Sequence, residues 1–220
     1  MARFKRLFDV AGACAGLIVF SPLMAIAATA ILLDDGGPVF FRQPRVGYRR
    51  RPFSILKFRS MRDGRPTRIG RVLRANGLDE VPQFINILRG EMSGVGPRPL
   101  TAEDVDRLGW TSADVDFRWQ VKPGLTGLAQ LMGAGTSTAS LALDRAYCEH
   151  WDPALDCQLI AISFAVNLLG KSRVRRWMLA RCLGARADGL WEALCNLGGY
   201  EGVELAALAE QSHIEQGTRT

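Results

Sequence analysis

The sequence predicts a mostly α fold with a small β-hairpin, attached to a membrane through its N-terminal segment. Three observations predict it. The run Val10 to Leu33 carries no charge. Two short aromatic and β-branched runs, Val39 to Arg42 and Phe53 to Phe58, are separated by Gly47 and a cluster of arginines. Elsewhere apolar residues recur at helical spacing, as at Val81, Phe84, Ile85 and Leu88.

The 24-residue uncharged run would extend about 36 Å as a helix, against a hydrocarbon core of about 30 Å. That length disfavours a buried helix of a soluble core. A cleaved signal peptide has a shorter apolar region and a small-residue cleavage site. Spanning and re-entry both remain. Ser21 and Pro22 stand at the middle of the run, where proline removes a backbone donor and clashes with the preceding turn. Arg3, Lys5 and Arg6 precede the run, and Arg42, Arg45, Arg49, Arg50 and Arg51 follow it. Basic flanks mark the cytoplasmic side, and here both flanks are basic.

The hairpin runs from Val39 to Phe58 with its arginines at the tip. Next to a membrane segment, Arg49 to Arg51 suit lipid headgroups. Thr67 to Ala75 reads as a short basic helix ended by Gly77. Asp79 is expected to open a central helix that ends at Gly90, with Pro82 tolerated in its first turn. Glu103 to Val121 reads as one or two polar helices, Lys122 to Gly133 as a glycine-rich loop running into an apolar patch, and Leu141 to His150 and Pro153 to Gly170 as helices. Trp110, Trp119 and Trp151 suit either a membrane interface or a core. Beyond Gly170 the tail divides by charge. Lys171 to Arg186 has six basic residues and no acid, which suits an amphipathic surface helix. Asp188 to Thr220 has six acids and one arginine.

The net charge is +6 and the pI about 9.4, a balance suited to anionic lipid, phosphorylated substrates or nucleic acid. No nucleic-acid motif is present, and the apolar segment argues against that partner. Five cysteines without a C-x-x-C pair give neither a zinc site nor a disulfide framework.

Chemistry concentrates between Leu73 and Leu100. Asp79 and Glu80 are adjacent carboxylates at an expected helix start, where Asp79 alone would read as an N-cap. Arg74 precedes them, and Arg98 follows on the turn Gly94 to Pro99. A helix N-terminus attracts phosphate, but two carboxylates would repel it unless a cation intervenes. Mg2+ shared between the acids and substrate phosphates resolves that conflict. Arg74 and Arg98 suit bidentate phosphate contacts and Lys57 a point charge. A carboxylate can also act as a nucleophile toward phosphorus. No Walker or G-x-G-x-x-G motif is present.

These pieces, in their order along residues 3 to 170, resemble the monotopic polyprenyl-phosphate phosphoglycosyl transferases, or bacterial sugar transferases. The resemblance rests on Lys5 to Asp9, Ser21-Pro22, Gly37 to Gly47, Lys57 to Met61, TRIGRVLR, LDEVPQFINILRGEMSGVGPRP and Lys122 to Gln130, followed by Asp144, Tyr147 and Asp156. It implies a monotopic protein of the bacterial inner membrane. A re-entrant helix broken at Ser21-Pro22 (residues 1–36) would carry a transferase domain with interfacial helices on the cytoplasmic face (37–170), and 171–220 would be an appendage. It implies transfer of a phosphosugar from a UDP-sugar to undecaprenyl phosphate with Mg2+, releasing UMP. That step opens the assembly of exopolysaccharide, capsule, O-antigen or a glycoprotein glycan. Asp79 would be the nucleophile, forming an aspartyl-phosphosugar intermediate. Glu80 would join it in holding the metal, and Lys57, Arg74 and Arg98 would contact phosphates. Gly77 stands where the family usually has serine, Leu128 where tryptophan is common, and the Met61–Thr67 segment is short. The sugar and the oligomeric state, a dimer included, stay open. The alternative is a non-catalytic membrane-surface protein whose basic face binds lipid or a partner. It leaves the acid pair amid phosphate-binding groups unexplained.

Overall fold

The computed structural model describes residues 2–134 and 136–169. The chain forms two compact units, one ending at Gly127 and one beginning at Leu128. The sequence readings for 171–220 lie outside the described residues.

The first unit opens with α1 (Ala2–Asp35), long and apolar enough to cross a membrane. Only 11% of its most apolar window is buried, unlike the core helix of a soluble protein, and Ile18, Val19 and Leu33 are more than two-thirds exposed. One edge of α1 does pack. Ala13 joins Ile55, Ile87 and Met92 in one core cluster, and Ala27 and Ile31 join Phe58 and Leu73 in another. Gly16 leaves room for the Phe84 ring, which also stacks on Phe20.

Helical structure continues without interruption through Pro22, which corrects the expected break into two helices. The local reason is visible. Pro22 has no N–H for the Ile18 carbonyl four residues back, and Ser21 Oγ donates to that carbonyl instead at 2.8 Å. A change of direction here would be a bend within one helix.

The hairpin is present. β1 (Phe40–Val46) and β2 (Pro52–Phe58) pair antiparallel from Phe40 with Phe58 to Val46 with Pro52, and Tyr48–Arg50 forms a 3-10 turn at the tip. Two-residue strands β3 (Met61–Arg62) and β4 (Arg65–Pro66) flank Asp63-Gly64, both at positive φ as a two-residue hairpin turn requires. α2 (Arg68–Ala75) is capped by Thr67 Oγ1, which accepts from the Gly70 N–H at 2.9 Å. α3 (Gln83–Leu88) follows.

β5 (Ser93–Val95) pairs in parallel with β6 (Gly124–Thr126), and the connection carries α4 (Ala102–Arg107) and α5 (Asp116–Trp119). The glycine-rich loop expected from Lys122 is therefore partly a strand. The strands approach so closely that a Cβ on Gly124 would strike the Gly96 backbone. Trp110 and Trp119 are 6% and 3% exposed, so of the two readings they take the core.

The second unit holds α6 (Leu128–Met132), α7 (Ser137–Glu149) and α8 (Pro153–Leu169). Buried Asp156 joins the last two, accepting from Tyr147 Oη at 2.8 Å and from Trp151 Nε1 at 3.0 Å.

Candidate active site

The acid pair sits in a 3-10 turn, Leu78–Glu80, and not at the mouth of a long helix. This corrects the expectation that Asp79 opens the central helix. Gly77 ends the preceding stretch at φ +67. Pro82 cannot donate to the Leu78 carbonyl, so Val81 N–H takes it in an i to i+3 bond at 3.3 Å. Regular helix starts only at Gln83. Asp79 makes no side-chain cap in the turn, and the N-cap of α3 is Pro82. The carboxylate is thus not accounted for as a cap.

α3 is short, and its most buried side chains are Gln83, Asn86 and Ile87, where the expected apolar face was Val81, Phe84, Ile85 and Leu88. Phe84 and Leu88 are half-buried against the first core cluster. The fully buried Asn86 explains why the polar face turns inward. Its Oδ1 accepts from the Leu56 N–H at 2.9 Å, and its Nδ2 donates to the Ser54 carbonyl at 2.8 Å and to Glu91 Oε2 at 2.6 Å. The helix that follows the acid pair thereby grips the free side of β2 on either side of Ile55, next to Lys57.

Lys57 Nζ lies 2.5 Å from Glu80 Oε1. Asp79 beside them is 9% exposed. Burial pushes its carboxyl above the ordinary range, and the Glu80 charge adds to the rise, while Lys57 and then Arg74 pull it down. Arg74 occupies the last turn of α2 and is exposed, with Nη1 donating to Met61 Sδ at 3.1 Å. Three of the sequence-predicted groups, Lys57, Asp79 and Glu80, are therefore in one place, and Arg74 is within electrostatic reach of Asp79.

Arg98 lies on the turn after β5, with its side chain exposed. Its neighbour is a residue that sequence reasoning left out of the site. Arg45 reaches from β1 to donate to the Pro99 carbonyl at 3.1 Å and to Gln43 Oε1 at 2.6 Å. Burial lowers the Arg45 pKa, the Arg98 charge lowers it further, and Asp104, Glu80 and Glu103 oppose. Arg45 thus stands within reach of both Arg98 and Glu80. An arginine inside a strand was its only signal in the sequence, and that signal is faint.

Ser21 and Pro22 are on α1 beside this ground. Phe20, Leu23, Met24 and Ala27 of α1, with Phe58, Leu78 and Val81, line a small apolar depression. Leu78 and Val81 bracket the acid pair directly. The N-terminal end of α1 is fastened too. Arg6 donates to the Ile87 and Leu88 carbonyls at 2.5 and 2.7 Å, where cations suit a helix C-terminus. Asp9 accepts from Ser93 Oγ at 2.9 Å and from the Gly94 N–H at 2.8 Å. Burial, and the Arg6 charge after it, lower the Lys122 pKa here, against the pull of Asp9.

Among the described residues no cluster of three or more His, Cys, Asp or Glu side chains is arranged to hold a metal. Asp79 and Glu80 offer two carboxylates. That donor set fits Mg2+, which is commonly held by one or two carboxylates and completed by substrate phosphates and water.

Buried Asp79 thus stands beside a partly exposed Glu80 paired with Lys57, next to an apolar depression against a helix of membrane-crossing length. The model of the bacterial sugar transferase family matches residues 1–170, and the chain belongs to that family. It is 41% identical over 177 residues to the UDP-glucose:undecaprenyl-phosphate glucose-1-phosphate transferase of Caulobacter vibrioides, covering 71% of this chain and 66% of that one. It is 36% identical over 190 residues to the protein of the same name from Klebsiella pneumoniae, covering 77% and 41%. It is 41% identical over 145 residues to the UDP-N-acetylgalactosamine-undecaprenyl-phosphate N-acetylgalactosaminephosphotransferase of Aeromonas hydrophila, covering 60% and 34%. The chain spans less than two thirds of the length of each of these relatives.

Proposed function

We propose that the protein is a phosphoglycosyl transferase that moves a phosphosugar from a UDP-sugar to undecaprenyl phosphate and releases UMP. The observation that carries this reading is the buried Asp79 carboxylate beside Glu80 and Lys57, next to an apolar depression walled by α1. A group that acts on a lipid phosphate has to meet a polar diphosphate and an apolar chain together. The names of the relatives support the same substrates.

In the first half-reaction an Asp79 oxygen attacks the β-phosphorus of the UDP-sugar. The O–P bond forms as the bond from that phosphorus to the bridging oxygen breaks, and UMP leaves with the electron pair. In the second, a phosphate oxygen of undecaprenyl phosphate attacks the same phosphorus and displaces the Asp79 carboxylate. The products are the lipid diphosphosugar and free Asp79. Burial, which raises the Asp79 pKa, leaves its carboxylate less solvated and more nucleophilic. Lys57, Arg74 and Arg98 hold phosphate oxygens. Asp79 and Glu80 are the residues that would hold Mg2+, which when bound supplies positive charge against the diphosphate.

In the same reading residues 1–36 enter the bacterial inner membrane and return to the cytoplasmic face, bending near Ser21-Pro22. Residues 37–170 form the cytoplasmic transferase, and 171–220 are an appendage. The reaction would open the assembly of a glycoconjugate such as an exopolysaccharide. The test is UMP release by the purified protein with undecaprenyl phosphate, Mg2+ and a panel of UDP-sugars, UDP-glucose first. Binding to liposomes without turnover of any donor would favour a non-catalytic surface protein instead.

A further inference from the structure

We propose that Arg45 and Arg118 are positioning residues that clamp the turn carrying Arg98 from two sides. Arg118 comes from α5 and is 4% exposed. Its guanidinium lies over the rings of Trp110 and Trp119, 5.0 and 5.2 Å from their centroids, and its Nη2 donates to the Arg98 carbonyl at 2.5 Å. Arg45 comes from β1, has a side chain 13% exposed, and donates to the next carbonyl, that of Pro99. The carbonyl after that, on Leu100, accepts from the Val46 N–H at 2.8 Å. Three consecutive carbonyls are therefore held by groups from two separate elements.

Burying a guanidinium is costly unless it is well paired and packed, and here the buried Arg118 and the half-buried Arg45 each hold a carbonyl of the same turn. The planar donor fork loses little freedom when it makes such bonds. Arg50 closes the outer side of the stack, over Trp119 at 5.1 Å and paired with Asp116 at 2.9 Å. The backbone at Arg98 is fixed while its side chain stays exposed.

This inference rests on the reading that Arg98 grips the donor diphosphate. The test is a double-mutant cycle on the full chain in detergent, with UDP-glucose, undecaprenyl phosphate and Mg2+. Arg118→Lys and Arg45→Lys should each raise the KM for UDP-glucose about tenfold with kcat changed far less, the size of a lost charge-assisted hydrogen bond. In the Arg98→Ala background neither should add a further effect. Effects that multiply undiminished in that background would overturn the clamp. An Arg98→Ala variant with unchanged KM would instead overturn the reading of Arg98 as a diphosphate ligand. Amide hydrogen exchange gives a readout independent of turnover. Arg45→Lys leaves the tryptophan stack untouched and should speed exchange around Arg98 and Leu100 without changing α2. No change there, in this variant and in Arg118→Lys, would also overturn the clamp.

Discussion

Lys57 Nζ and Glu80 Oε1 lie 2.5 Å apart, and the pair flanks the buried Asp79 carboxyl. The arrangement sets two opposing charges on one carboxyl. Glu80 raises the Asp79 pKa above what burial alone gives, and Lys57 lowers it.

The pH profile should show this opposition. In the proposed mechanism Asp79 acts as the carboxylate, so activity should fall as pH drops through its pKa. Because that pKa is raised, the acid limb of kcat/KM should lie above the ordinary aspartate range. Lys57→Met should move the limb to higher pH. The residual activity of Glu80→Gln should move it lower. Rates at a fixed neutral pH should fall about tenfold or more in both, since each removes a charge at the reacting centre.

Asp79→Asn should be inactive yet more stable. The folded-state pKa of Asp79 lies above its unfolded value, so its contribution to stability is fully present below the unfolded pKa and is lost as pH rises through the folded one. Asparagine removes that loss. At neutral pH the variant should melt higher, and the gap should close as the pH approaches the ordinary aspartate range. Equal melting at all pH values would contradict a destabilised carboxylate.

Asn86→Ala should destabilise the first unit by about 1–3 kcal/mol, because it strands the buried Leu56 N–H and also removes the bond to the Ser54 carbonyl. Denaturant melts check the size. Activity should fall as well, since the same side chain holds β2 beside Lys57.

Topology can be read by labelling. In a cysteine-free background, single cysteines at Ala2 and Gly36 should both resist a membrane-impermeant reagent applied outside the cell. Labelling of one alone would mean that α1 spans. Pro22→Ala restores the missing N–H, should straighten the helix, and should make one of the two sites reactive.

The hairpin is legible because short aromatic and β-branched runs lie on either side of Gly47. α2 is legible because Ile69, Val72 and Leu73 recur at helical spacing. The acid pair is legible through its charged company, but its 3-10 turn is not. A proline in the first turn of a helix and a proline just after a 3-10 turn look alike until the Leu78 carbonyl is accounted for. The parallel pairing of β5 with β6 was hidden, since three-residue strands some 30 positions apart leave no periodic signal. Arg45 and Arg118 were hidden for a different reason. An arginine's letter suggests solvent, and only tertiary packing shows these two held under a turn. The uninterrupted α1 turned on one hydroxyl, Ser21 Oγ, replacing one missing donor.

The central claim is that Asp79 carries the phosphosugar covalently. Incubation with a UDP-sugar in the absence of lipid acceptor, followed by intact-mass and peptide mass spectrometry, tests it most directly. The account predicts a phosphosugar adduct on the peptide containing Asp79, formed with UMP in equal amount, discharged by undecaprenyl phosphate and absent from Asp79→Asn. An adduct-free protein that still turns over, or an Asp79→Asn variant with full activity, would contradict it.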